Sequence, residues 1–409
     1  MERIVPLSGV TVGIVGASIG GLSCARALLD LGATVRVVER YPRGFSTRGS
    51  AISADEKLLL EITHHNEPPP RLEGGGAYFY GDLWAYLHSS LPPDTVRFGI
   101  EISEILDAGT LKPALMVHGE REEFDLILCA DGGWSHLRKY VTNMQPRYAG
   151  YVLWRGRCDL VHAPGFKSWG AFRNGNVTTT AYAVRGPPPS QKCRSGVYLQ
   201  MGVYIAQPEA EITRPTRGAN CRVTVQRAKA PSWFLPLMEK LFVHEAGGDL
   251  VRRWRKIVKD DLCEAHPVFE LVCERVVAGQ VVLVGDAAHL SSPNTSAGGH
   301  TAMLDAFFLR ETLRRTITLH DGGGLDEALG AYNENAVERS RELGEASQRV
   351  GKRYVPDPSH IESPSHLLAR LAKGGDVNLS PVREQSSPVR AISSPVQALS
   401  SLVRVLSLP

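Results

Sequence analysis

Residues 10–39 read VTVGIVGASIGGLSCARALLDLGATVRVVE. Val10 to Val15 is a short apolar, β-branched run that ends at Gly16, the pattern of a buried strand. Gly20 to Leu31 then carries apolar residues at helical spacing until Gly32 stops it, and Val35 to Val38 resumes as a strand. Strand, glycine turn, helix and strand make a βαβ unit, whose parallel strands predict a doubly wound α/β sheet. The turn is Gly16-Ala17-Ser18-Ile19-Gly20-Gly21, a G-x-G-x-x-G pattern with Ser18 in the second glycine place. Small residues there let backbone N–H groups approach a diphosphate, and the following helix offers the positive end of its dipole. Glu39, at the end of the second strand, is positioned to accept hydrogen bonds from an adenosine ribose, with Arg40 and Arg48 close behind. A glycine turn alone also arises to pack a strand against a helix; the acidic strand end favours dinucleotide binding. It also disfavours a 2′-phosphate, so FAD or NAD is expected here rather than NADP.

The rest of the chain is compatible with that start. Its 409 residues, 43% of them hydrophobic, suffice for two domains around a shared cleft. The formal net charge of +3 arises from mixed acidic and basic residues, which predicts no nucleic-acid partner and no attraction to an acidic membrane. The seven cysteines form no C-x-x-C pair, so free thiols in a reducing compartment are expected and no metal is. The first residues run straight into a strand, and no apolar run reaches about 18 residues; a soluble, cytoplasmic protein without a membrane span is the expectation.

Pro68 to Gly76 (PPPRLEGGG) reads as a loop, Leu83 to Leu91 as a helix, and Phe124 to Cys129 and Val281 to Val284 as buried strands, each followed by an Asp-containing turn. Between them, from about Tyr148 to Phe269, alternating runs such as Val177–Val184 and Gly196–Ile205 predict a mostly antiparallel inserted sheet. Helices are expected from Thr301 to about Leu319 and from Leu325 to Gly351. From Ser380 the tail repeats SPVREQS, SPVRAIS, SPVQALS and SLVRVLS. Proline in the first three copies forbids a continuous helix, so disorder is expected over these heptapeptides.

Two aspartates stand where chemistry is expected. A carboxylate just past a strand, as at Asp286, can accept hydrogen bonds from polyol hydroxyls, although a turn or helix N-cap explains Asp131 and Asp286 equally well one at a time. Pro293 and the pair Gly298-Gly299 precede a long helix whose N-terminal amides can meet developing negative charge.

The phrase Ala130-Asp131-Gly132-Gly133-Trp134-Ser135-His136-Leu137-Arg138 resembles the "DG" motif of the class A FAD-dependent aromatic hydroxylases, which have the p-hydroxybenzoate hydroxylase fold. Gly285-Asp286-Ala287-Ala288-His289 resembles their "GD" motif. Tyr148 to Gly156 (YAGYVLWRG), with Ser18, looks most like the branch of 2,6-dihydroxypyridine 3-monooxygenase. The resemblance covers about residues 10 to 345. It implies a Rossmann-like FAD-binding domain of the glutathione reductase type at 1–147 and 276–351, carrying the C-terminal helices. A mostly antiparallel substrate domain at 148–275 and a disordered tail at 352–409, with repeats over 380–407, complete the expected layout.

The implied activity is a monooxygenase in which NADPH or NADH reduces FAD and the reduced flavin delivers oxygen from O2 to an aromatic or heteroaromatic small molecule. The implied cofactor-binding set is Gly16, Ser18, Gly20, Gly21, Glu39, Arg40, Arg48, Asp131, Arg138, Asp286, Gly298 and Gly299. The catalytic residues stay open, with Pro293, His289 and Arg155 as candidates. His289 also suits a satisfied core position, and Trp154 and Arg155 suit either a cavity wall or an ordinary alternating strand. Tyr151, Tyr182 and Tyr204 are candidates for a substrate-activating base. The chain between Arg48 and Leu83 is shorter than in family members, and Ala85 stands where many carry a flavin-contacting arginine. An oxidase or dehydrogenase, or a catalytically degenerate FAD-binding relative, is therefore the alternative, and a homodimer is left open.

Overall fold

The computed structural model describes residues 6–44, 51–70, 77–159, 170–174, 176–185, 197–212, 226–227, 230–242, 245–260, 262–319, 324–356 and 363–373. Arg48, residues 71–76 of the proline-glycine loop, Cys193, Cys221 and the heptapeptide repeats lie outside the described residues.

The glycine turn belongs to the first of two sheets, which has six strands. β1 (Thr11–Val15) is central, flanked by β2 (Thr34–Glu39) and β8 (Leu126–Cys129), all parallel. β5 (Val96–Phe98) adds beyond β2 and β16 (Val281–Leu283) beyond β8, again parallel, while β15 (Val277–Ala278) closes that edge antiparallel. β8 and β16 are buried throughout, as their unbroken apolar sequences require of parallel strands covered on both faces. α1 (Ile19–Leu29) follows the turn and packs against α6 (Gly298–Leu319), so it is apolar nearly all round. α7 (Leu325–Tyr354) lies against α6 and runs slightly past the expected end at Gly351.

The second sheet has the order β10 (Gly170–Asn174), β11 (Val177–Arg185), β12 (Val197–Ala206), β9 (Arg147–Asp159), β14 (Cys263–Val272) and β13 (Gln226–Arg227), antiparallel throughout. Register fixes its faces. Arg155 stands opposite Gly202 on one side and Glu264 on the other, and Leu153 opposite Tyr204 and His266. The short β17 (His289–Leu290) pairs with the end of β14, tying the inserted sheet to the segment after β16.

The alternation that predicts this sheet leaves out two helices within it. α4 (Phe234–Leu241) and α5 (Glu245–Lys259) cover one face. α5 carries Leu250, Val251, Trp254 and Ile257 at helical spacing, and all four are buried. Trp154 packs against Phe234 at 5.7 Å between ring centroids. A side chain at Gly156 would come within 2.3 Å of Ile257, so glycine there is what lets α5 approach the sheet.

Two smaller pairs complete the frame. β3 (Ala51–Ser53) and β4 (Ala77–Phe79) form a short antiparallel ribbon that brackets α2 (Glu56–Thr63) in sequence. β6 (Ala114–Val117) and β7 (Glu120–Glu123) form a hairpin, α3 (Tyr80–Ser89) follows β4, and α8 (Pro364–Ala372) packs on α4. Among the described residues, no helix is long and apolar enough to cross a membrane.

Candidate functional site: a dinucleotide crevice and a facing polar sheet

The structure brings the three motif segments together at the carboxyl ends of the parallel strands, where open α/β sheets bind ligands. Gly16 has φ +107°, and a Cβ there would lie 2.3 Å from the Ala130 carbonyl oxygen and 3.3 Å from the Asp131 nitrogen. Its amide donates to the Val38 carbonyl at 2.8 Å. Gly21 is equally committed, since a Cβ would stand 1.9 Å from the Gly16 oxygen. A Cβ at Gly20 would face Ala302 of α6 at 3.3 Å and Gly285 at 3.7 Å, and one at Gly298 would face Asp286 Oδ1 at 3.8 Å. A Cβ at Gly299 would collide with Ile52 at 2.8 Å, so Gly299 admits β3 against the start of α6.

Glu39 is buried. Its Oε2 accepts the Ala17 N–H at 2.8 Å and its Oε1 accepts the Tyr41 N–H at 2.9 Å. The carboxylate thus fixes the glycine turn, and each oxygen keeps lone-pair capacity for a ribose hydroxyl. Arg40 turns to its neighbour, with its guanidinium 4.9 Å from the Tyr41 ring centroid. Ser18 Oγ lies 2.8 Å from Tyr80 Oη, and Trp84 Nε1 donates to the Ala17 carbonyl at 2.7 Å. Tyr80 and Trp84 were not singled out from the sequence. The available signal was the spacing Tyr80, Leu83, Trp84, Leu87, which puts one face of α3 on the turn. Ala85 is exposed on that helix, and the α3 side chains that reach the turn are Tyr80 and Trp84.

Asp131 Oδ2 accepts the His136 N–H at 3.1 Å, while Oδ1 is buried with no hydrogen-bond partner. Burial raises its carboxyl pKa, with nearby hydrogen bonds and the Arg138 charge opposing. Arg138 is fully buried and acts as a brace: Nε donates to the Ala287 carbonyl at 2.8 Å and Nη2 to the Gly133 carbonyl at 2.6 Å. One guanidinium therefore clamps the segment after β8 to the segment after β16, with Nη1 left without a partner. Asp286 is exposed to open space, yet the protein around it raises its pKa by desolvation against the opposing charges of His289 and Arg138. The carboxylate is thus open to solvent while protein surrounds it, as in a recess.

These features fit a flavin dinucleotide. The Gly16–Gly21 turn is bare enough for a diphosphate, the orphaned Asp131 oxygen and the open Asp286 carboxylate await hydroxyl donors, and the start of α6 supplies amides beside Asp286.

Behind the recess, His289 Nε2 and Asp305 Oδ2 are 2.7 Å apart, Arg339 Nη2 donates to Asp305 Oδ1 at 3.0 Å, and the Gly285 N–H donates to Asp305 Oδ2 at 2.8 Å. All three side chains are buried. Burial alone would lower the His289 pKa, but the Asp305 carboxylate outweighs it and the pKa ends raised; that of Asp305 ends lowered, desolvation being overcome by His289, Arg339 and the Gly285 N–H. His289 is thus an anchor of the Gly285–Asp286 turn. Pro293 is half-buried and opens the turn Pro293–Thr295 at the seam of the two sheets, where Tyr151 Oη meets Ser292 Oγ at 2.7 Å and the Asn294 amide donates to Tyr151 at 3.2 Å.

Tyr151, Arg155, Tyr182 and Tyr204 share the sheet face opposite α4 and α5, by register. Trp154 points to the other side, into Phe234 and Trp233; its place in a cavity wall is corrected to the packing against α4. Burial raises the phenol pKa of Tyr151 and of Tyr204, which makes both poor bases near neutral pH. The described cysteines are free and buried, and no metal-capable group of three ligands occurs among the described residues.

Comparison with known proteins agrees with this geometry. Residues 253–347 match the model of an FAD binding domain. The chain is similar to 2,6-dihydroxypyridine 3-monooxygenase of Paenarthrobacter nicotinovorans, 26% identical with 74% of this chain and 83% of that protein covered. It is also similar to a salicylate hydroxylase of Pseudomonas putida, 27% identical over 70% of this chain and 65% of that one. The fold matches Klebsiella pneumoniae HpxO, solved with FAD and uric acid, with a TM-score of 0.65, 20% identity and coverage of 98% and 99%. With the three motifs in order around one crevice, the chain is similar in sequence to FAD-dependent hydroxylases of class A and shares their fold.

Proposed function

We propose that this protein is an FAD-dependent monooxygenase that uses NAD(P)H and O2 to hydroxylate an aromatic or heteroaromatic small molecule. The observation that carries the reading is the convergence of Gly16, Asp131 and Asp286 on one crevice, with the inserted sheet tied to the segment after Asp286 through β17 and the Tyr151–Ser292 contact. In this reading residues 1–147 and 276–351 form the FAD-binding domain and 148–275 the substrate domain, acting in the cytoplasm on a soluble substrate.

Bound FAD supplies the transfer of electrons from the nicotinamide to oxygen. The chain supplies position and surroundings. Gly16 to Gly21 and the start of α1 hold the diphosphate, Glu39 the ribose, and Asp131 and Asp286 the hydroxyls between them. Amides at Gly298 and Gly299, at the positive end of α6, stabilise negative charge. Arg138 and Asp305 keep the two aspartate turns in register, through Gly133, Ala287 and Gly285. The Pro293 turn and the Tyr151 contacts with Ser292 and Asn294 join the two sheets at a seam that would limit the entry of water to a bound flavin.

Purified protein tests this directly. A yellow protein whose NAD(P)H consumption rises with phenols, hydroxypyridines or purines, with a hydroxylated product, is the expected result. Anaerobic bleaching of the flavin by the organic substrate alone, without NAD(P)H, would instead assign a dehydrogenase or oxidase. A colourless protein that cannot be reconstituted with FAD would overturn the reading.

A further inference from the structure

Ser292, the residue before the Pro293 turn, is tied to both sheets and to α7. Its Oγ lies 2.7 Å from Tyr151 Oη on β9, and its N–H donates to Ser347 Oγ on α7 at 2.8 Å. Ser347 Oγ in turn donates to Glu270 Oε1 on β14 at 2.6 Å. Ser292 and Ser347 are fully buried and Glu270 is half-buried. A hydroxyl has a single proton, so giving it to the Glu270 carboxylate leaves the Ser347 lone pairs to the Ser292 N–H. Pro293 has no N–H of its own, which makes the Ser292 amide the donor that anchors this end of the turn. Thr295 Oγ1 donates to the Ser292 carbonyl at 2.9 Å and accepts the Ala297 N–H at 3.2 Å, so the anchor carries through the turn to Gly298 at the start of α6.

Nothing local to the helix requires this arrangement. Ser340, also buried on α7, donates back to the Ala336 carbonyl at 2.7 Å, the usual way a helical serine is satisfied. Ser347 instead donates across to β14, in a short charge-assisted bond. Glycines on the same face bring α7 near enough to do so. A Cβ at Gly344 would stand 2.5 Å from Val272 Cγ2, and one at Gly351 would stand 3.1 Å from Tyr151 Oη.

We propose that Ser347 and Glu270 are positioning residues for the reaction of reduced flavin with oxygen: acting through Ser292, they hold the Pro293 turn against Tyr151 and so keep water from the flavin edge beside Gly298. This inference rests on the monooxygenase reading for the place of the flavin.

The test needs no substrate. FAD-loaded enzyme is photoreduced without air and mixed with oxygenated buffer, so that reduced FAD passes its hydrogens to O2 and hydrogen peroxide leaves. The rate of peroxide release is timed, and the visible spectrum of the oxidised flavin is recorded. Ser347→Ala and Glu270→Leu should each release peroxide about fivefold faster than wild type, the worth of one hydrogen bond. Both should also blur the vibrational shoulder of the flavin band, as water reaches the ring. Glu270→Gln keeps the acceptor and should behave as wild type. The double variant Ser347→Ala/Glu270→Leu should be no faster than either single variant, because both break the same chain. FAD content should be unchanged throughout. Glu270→Leu, at the half-buried end of the chain, carries the test should Ser347→Ala not fold. A lowered melting temperature with wild-type peroxide release and spectrum would reduce the pair to a structural tie and overturn the proposal. So would an effect of Glu270→Gln equal to that of Glu270→Leu, or additive effects in the double variant. A wild type that takes up no FAD overturns the monooxygenase reading and this inference together, whereas FAD-loaded variants that match the wild type overturn the inference alone.

Discussion

Gly21 and Gly330 separate two uses of glycine. At Gly21 a Cβ would sit 1.9 Å from the Gly16 oxygen, whereas at Gly330, exposed on α7, nothing lies within 4 Å. Gly21→Ala is therefore expected to open the turn and abolish FAD binding, while Gly330→Ala stabilises the protein by about 0.5–1 kcal/mol through helix propensity. Thermal melts and flavin absorbance of the two variants check the contrast. Asp286 gives the complementary case of a side chain kept for a ligand. Its pKa is raised by desolvation, so the carboxylate does not help the unliganded fold. Asp286→Ala should retain or raise the apo melting temperature while FAD affinity falls by roughly one to two orders of magnitude, the worth of charge-assisted hydrogen bonds. Unchanged flavin content would remove Asp286 from the binding set. Glu39 was legible because a strand end after a glycine turn is a local feature. Arg138 was not legible as a brace: its partners, Gly133 and Ala287, belong to segments whose approach only the tertiary fold sets.

Among the elements, α6 does two jobs, and Asp305 joins them. It receives the Gly285 N–H of the turn that aims Asp286, together with His289 and, from α7, Arg339. Breaking a buried pair leaves an uncompensated charge, so Asp305→Asn should cost about 3 kcal/mol and weaken FAD binding in step. The pH dependence has a definite sign. The His289 pKa is raised, so its contribution is complete below its unfolded value of about 6.5 and is lost as pH rises through the folded value. The Asp305 pKa is lowered, so its contribution is present above about 3.9 and is lost on acidification through the folded value. Wild-type melting temperature should therefore decline on the alkaline side of about pH 6.5, and Asp305→Asn should flatten that decline; an equal slope in both would place the titration elsewhere. Local spacing foretold α6 but not this role. It foretells the antiparallel sheet but not α5, because the helical stripe of Leu250, Val251, Trp254 and Ile257 is embedded between alternating strands. Period-2 alternation shows that a strand has two faces, yet only α4 and α5 decide which one they cover, and this buries Trp154 under α4 and leaves Arg155 on the other face.

For the molecule as a whole, the crevice is assembled from parts far apart in the chain, from Gly16 to Gly298, and a single ligand touching all of them would act as a cross-link. A ligand that binds only the folded state stabilises it by RT ln(1 + [L]/Kd), about 2.7 kcal/mol at a hundredfold excess over Kd. For a domain of this size that corresponds to a rise of several degrees in melting temperature. FAD should produce that rise in the wild type and a much smaller one in Asp286→Ala, whereas adenosine diphosphate, which reaches only the Gly16 turn and Glu39, should give an intermediate rise that is the same in both proteins. If FAD and adenosine diphosphate stabilise equally, the Asp286 recess contributes nothing to cofactor binding and only the Rossmann half of the site is in use. If FAD stabilises more than adenosine diphosphate, and the excess is lost in Asp286→Ala, the crevice works as one site that runs from the Gly16 turn to the start of α6, leaving substrate choice to the inserted sheet rather than to the nucleotide domain.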